Sequence, residues 1–140
     1  MNEQYIDPDR ETFAAFRALD RAGPIHMLNL VKLRTKAAYS DGREATGAEA
    51  YGVYGRDSAP IFSRVGGRVV WRGGFELMLI GPKEESWDRC FIAEYPDVAA
   101  FAEMLRDPAY REAVKHRQAA VETSRLIRLK TMSEGVDFAS

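Results

Sequence analysis

Apolar side chains recur along this chain at two spacings, and the switches between them mark alternating strands and helices. The clearest unit lies at 87–129. Trp87, Phe91, Ile92 and Tyr95 are bulky, β-favouring residues set among polar ones, and the run stops at Pro96, which cannot continue a ladder. A strand over 87–95 follows. Val98, Phe101, Ala102 and Leu105 then fall at i, i+3, i+4 and i+7, one face of a helix, with Asp97 placed to cap its first turn. At Asp107-Pro108 the pattern restarts, because Asp accepts from the orphan amides and Pro is tolerated at the first helical position. Tyr110, Ala113, Val114 and Val121 carry this second helix to about residue 122, and 124–129 alternates again as a final strand.

The first half of the chain repeats the design. Asp7-Pro8 opens a short helix to about residue 20 with Phe13, Phe16 and Leu19 on one side. Gly23-Pro24 stops it, and Ile25–Leu33 follows as the most strand-like run of the protein. The polar stretch 34–46, with the turn signal Ser40-Asp41-Gly42, is long for a compact domain and predicts a mobile flap. Over 47–65 a helical side is formed by Tyr51, Tyr54, Ser58, Ile61, Phe62 and Val65, with a kink or break expected near Pro60. Gly66-Gly67 ends it. The run 68–80 predicts one long strand bent at Gly73-Gly74, followed by a charged turn, and 131–140 reads as a tail or a strap over a neighbour.

From Ile25 the order is strand, helix, strand, strand, helix, strand, a split βαβ repeat of ferredoxin-like type. In that α+β fold the helices cover one face of a four-stranded antiparallel sheet. Yet Ile25–Leu33 is apolar on both faces near its middle, and Val69/Val70, Leu77/Met78 and Phe91/Ile92 echo this. A sheet apolar on both sides needs a second cover, and the simplest is the same face of another subunit. The expectation is a homodimer with sheets face to face.

At 140 residues the chain is read as one domain. Twenty Lys and Arg against 21 Asp and Glu leave a net charge of −1, with basic residues spread out, so a nucleic-acid partner is not expected. Cys90 is the single cysteine, which excludes an internal disulfide and predicts a core thiol. No run of about 20 apolar residues is present to span a membrane, and the N-terminus lacks a signal-peptide pattern, so a cytoplasmic location is expected.

With these elements in place, the chain resembles the DUF1330 family of the dimeric α+β barrel superfamily. The resemblance rests on HMLNLVKL at 26–33, GAEAYGVYG at 47–55, GGRVVWRGG at 66–74 and, most specifically, the block from Tyr95 to Leu129. It implies the ferredoxin-like fold and the dimer, with a core over 24–131 and the N-terminal helix as an addition. It implies no particular reaction, since the family has no established common one, while the wider superfamily builds small-molecule sites between sheet and helices.

Several residues could carry chemistry. Asn29 stands among Ile25, Met27, Val31 and Leu33 on one strand face, and burying its amide without partners costs about 1–3 kcal/mol, so something must bond to it. Arg117 falls in the centre of its helix's apolar stripe and must snorkel, pair with an acid such as Glu94 or Asp88, or face a cavity where it could bind an anion. His116 lies beside Ala109, Ala113 and Ala120, which leave room before an imidazole suited to acid-base work. Tyr51, Tyr54 and Trp71 would aim polar groups into the same space, and Arg125 could take a carboxylate at its mouth. His26 and His116 are too few and too far apart for a metal signature, and no nucleophile elbow, P-loop or dinucleotide fingerprint occurs, so no metal or cofactor is expected.

The pattern therefore predicts a pocket between sheet and helices for a small organic molecule, neutral or anionic. Asn29 and Tyr54 would orient it and Arg117 would compensate negative charge. Two alternatives stand beside this: cofactor-independent oxygenation or isomerisation of a phenolic or enolic compound, with His116 or Tyr54 as base, and a purely structural or interaction dimer.

Overall fold

The computed structural model describes residues 3–139. Its elements are α1 (Arg10–Ala18), β1 (Ile25–Leu33), α2 (Gly47–Arg64), β2 (Arg68–Gly73), β3 (Arg89–Tyr95), α3 (Val98–Arg106), α4 (Pro108–Ala120) and β4 (Val121–Leu129). The strands form one antiparallel sheet in the order β2-β3-β1-β4, the ferredoxin-like arrangement in which both βαβ crossovers place their helices on the same side.

Helix starts follow the capping chemistry of the sequence. Thr46 and Glu49 close a capping box at α2, Asp97 accepts from Ala100 N at α3, and Asp107 accepts from Ala109 N and Tyr110 N at α4. At α1 the cap is Asp9, accepting from Thr12 N, two residues beyond the expected Asp7. Pro60 does not break α2, which runs unbroken to Arg64. Both Pro60 and Arg56, whose carbonyl loses its intrahelical donor, are exposed, so water can satisfy the freed oxygen.

Three other boundaries differ from expectation. The strand after Gly66-Gly67 does not continue bent to residue 80 but ends at Gly73, opposite Cys90. Beyond it β3 offers no partner, since residues before Arg89 leave the ladder, and Asp88 instead donates its N–H to Val31 O and accepts from Leu33 N. At the other end, α4 passes directly into β4 at Val121, because the Ala120 and Ala119 carbonyls bond to Arg34 N and Ala38 N.

Register separates the two sheet faces. Ile25, Met27, Asn29, Val31 and Leu33 face the helices, with Tyr95, Ala93, Phe91 and Arg89 opposite the first four on β3. The core on this side divides in two. One cluster gathers Ile25, Met27, Ile61, Ala93, Tyr95, Phe101 and Tyr110, and the other Val31, Ala37, Ala50, Ala119, Ala120 and Val121; Phe91 packs against both. Helix α1 lies at the periphery, its Phe16 ring 5.0 Å from Phe101.

The opposite face carries Leu28 and Leu30 of β1, Cys90 and Ile92 of β3, Ile127 and Leu129 of β4 and Trp71 of β2, with no helix over it among the described residues. Trp71 is 52% exposed, and Ile127 and Leu129 are about as open, at 43% and 42%. Cys90 is thus a half-buried thiol on this open face and not a core residue. No described helix is long and apolar enough to cross a membrane.

Candidate functional site

The seam between the two apolar clusters is polar. On β1 it falls at Asn29, between Met27 of one cluster and Val31 of the other. From α2 it receives Tyr51 and Tyr54, whose ring centroids are 5.5 Å apart. From α4 comes Tyr110, whose hydroxyl shares a 2.8 Å hydrogen bond with that of Tyr54. The i, i+3 spacing of the two α2 tyrosines places both on the sheet side of the helix.

Asn29 donates from Nδ2 to Met27 O at 3.0 Å. Among the described residues nothing donates to its Oδ1, and the Tyr51 hydroxyl has no partner. Both residues are half-buried. Such groups sit beside apolar packing only where water or a ligand completes them. Burial pushes the Tyr51, Tyr95 and Tyr110 hydroxyls well above the ordinary phenol range, with Arg117 and Arg89 pulling Tyr51 back slightly. These phenols are neutral hydrogen-bond donors near neutral pH and not phenolate bases.

Arg117 borders the seam but is already committed. Its guanidinium donates to Ile6 O and to Ser124 Oγ, so it pairs with neither Glu94 nor Asp88. Those carboxylates lie elsewhere: Glu94 binds His26 and Arg68, and Asp88 lies 3.8 Å from Lys32. Arg117 holds the N-terminal segment, which also runs along β4 through Tyr5 O to Ser124 N.

The remaining candidates do not meet at this seam. His116 points into a groove between α2 and α4 of about 550 Å³, lined also by Arg56, Asp57, Pro60, Ala109, Glu112 and Ala113. There its Nδ1 is 2.6 Å from the Tyr39 hydroxyl and its Nε2 is 3.9 Å from Asp57. Trp71 and Arg125 lie on the open sheet face. A bulge between Val69 and Trp71 turns the indole away from the helices to stand opposite Ile92. Arg125, opposite Leu30, stacks over the Tyr5 and Trp87 rings and donates to Ser124 O, so its guanidinium is used in packing. Tyr39 and Tyr110 were not singled out for a site from sequence. Tyr110 was legible only as an apolar stripe residue, although a buried phenol needs a partner. Among the described residues no group of three or more His, Cys, Asp or Glu could hold a metal ion.

Sheet order, helix placement and the half-buried polar seam define a protein of the ferredoxin-like α+β class. Residues 42–129 match the model of DUF1330, a domain of unknown function, and the chain belongs to that family. It is similar to the RPA0582 protein of unknown function from Rhodopseudomonas palustris, with 70% identity and a TM-score of 0.92 over 94% of this chain and 100% of that one. A methylated form of RPA0582 aligns with 72% identity and a TM-score of 0.94, covering 94% and 98% of the two chains. SnoaB, a cofactor-independent oxygenase from Streptomyces nogalater, shares the fold at 19% identity and a TM-score of 0.51, covering 83% of this chain and 100% of that one. No curated protein matches the chain.

Proposed function

We propose that the protein binds a small organic molecule at the seam between sheet and helices, and that it does so as a homodimer through its open sheet faces. One observation carries the binding reading: among the described residues the Asn29 carbonyl oxygen and the Tyr51 hydroxyl lack protein partners where two apolar clusters meet. The pair offers one acceptor and one donor beside Phe91, which suits a compact molecule with an apolar body and a polar end. Binding is better supported than base catalysis. The buried phenols near it are held neutral, and His116 faces a separate groove between the helices.

The dimer is supported by the exposed Trp71, Ile127 and Leu129 on a face that carries no helix among the described residues. A protein-observed NMR titration with a library of small phenols, amides and acids tests the binding reading. Shifts are expected to gather at Asn29, Tyr51 and Tyr54; a library whose contacts fall only on the outer groove would sink it. Sedimentation of Trp71→Glu against the unaltered protein tests the dimer, which this substitution is expected to dissociate.

A further inference from the structure

We propose that the molecule bound at the seam is an organic carboxylate, held by Arg72 and Arg89. This rests on the seam being a ligand site and adds the chemical class of the ligand. In the register, Arg72 stands opposite Phe91, and Phe91 stands opposite Asn29, so the three form one row across the helix-facing side of β2, β3 and β1. Arg89 lies on the same side, two residues from Phe91 and opposite Val31. Arg72 and Arg89 are therefore diagonal cross-strand neighbours, at a Cα separation of about 7–8 Å that long side chains bridge easily. Tyr51 and Phe91 both pack against the cluster that contains Val31.

Neither guanidinium has a carboxylate partner among the described residues. Arg89 donates only to the neighbouring Asp88 O, and Arg72 makes no hydrogen bond or ion pair. Arg43, Arg64 and Arg68 pair with Asp or Glu, whereas Arg10, Arg17, Arg56, Arg106 and Arg111 are also without an ion pair among the described residues, so what sets Arg72 and Arg89 apart is their place beside Phe91 on the helix-facing side of the sheet. Two unpaired arginines one row from an unpartnered amide oxygen and an unpartnered hydroxyl make an anion end and a polar contact for one ligand. The helix-facing side of β2 is open, with Val69 46% exposed, so a ligand can enter from that edge. The planar fork of arginine matches a carboxylate in two parallel bonds. Arginine also forks onto phosphate, so phenyl phosphate is carried as the competing anion in the test.

The test is a set of protein-observed NMR titrations with benzoate, phenylacetate and cinnamate, their primary amides, and phenyl phosphate. The acids are expected to shift Asn29 and Tyr51 and to bind about tenfold more tightly than the amides. Arg72→Gln with Arg89→Gln should erase that preference. Both side chains are exposed, so stability should be unchanged, and an unfolding curve of the double variant verifies it. Amides that bind as well as acids, or a preference that survives the double variant, would overturn the carboxylate while leaving the seam standing. Phenyl phosphate binding more tightly than the acids, with the same arginine dependence, would replace the carboxylate class with phosphate esters. Probes that never shift Asn29 or Tyr51 would overturn both readings.

Discussion

Replacing Asn29 with leucine separates a ligand-binding amide from a structural one. The side chain makes one hydrogen bond, Nδ2 to Met27 O, and Met27 lies within the ladder of the central strand, so its carbonyl is not orphaned by the change. Losing that bond costs about 1 kcal/mol. The Oδ1 atom gives up no protein partner. A fully buried leucine gains about 1.5–3 kcal/mol, of which a half-buried site realises about half, or roughly 1 kcal/mol. The two terms cancel to within about 1 kcal/mol, so Asn29→Leu should unfold within about 4 °C of the unaltered protein. Ligand-free thermal and urea unfolding measures it. A loss of about 3 kcal/mol would show that the amide is a structural strut, and the argument for the seam as a site would fail.

Tyr54→Phe removes the partner of the Tyr110 hydroxyl in a residue only 6% exposed, and should cost about 1–3 kcal/mol in urea unfolding, part of which Tyr110→Phe restores in the double variant. Gly47→Ala places a Cβ 2.0 Å from Arg34 O, a backbone atom that cannot turn aside, and should lower stability by at least about 1–3 kcal/mol in the same assay. Arg68 and His26 hold the Glu94 carboxyl below its usual range. Its stabilising contribution is therefore present above about pH 4.3 and lost as pH falls through the lower folded value. Arg68→Gln should reduce stability near neutral pH, with the difference narrowing toward about pH 3; a constant difference would contradict the linkage.

The fold was legible because caps, breakers and periodicity agreed with one another along most of the chain. Asp97 and Asp107 open helices whose apolar sides face the sheet, and Asn29 stood out as the polar residue on an otherwise apolar strand face. The site was less legible, for reasons that differ by residue. Simple alternation puts Val69 and Trp71 on one face, but the bulge between them sends the indole to the other. Ala109 and Ala113 do line a groove in front of His116, yet that groove lies between α2 and α4 and does not open on the sheet. Arg117 finds Ile6, 111 residues away, a partner that no local spacing announces. Arg72 and Arg89 become neighbours only through the β2–β3 register, which depends on where a long connection lets the ladder start. Apolar 77–80 looked like more strand, but a strand needs a partner as well as a pattern.

The seam as a ligand site is tested most directly by soaking crystals of the protein with a library of small acids, amides and phenols. The account predicts electron density for a bound fragment within hydrogen-bonding distance of Asn29 Oδ1 and the Tyr51 hydroxyl. Fragments found only in the outer helical groove, with the seam closed around ordered water or side chains, would contradict it.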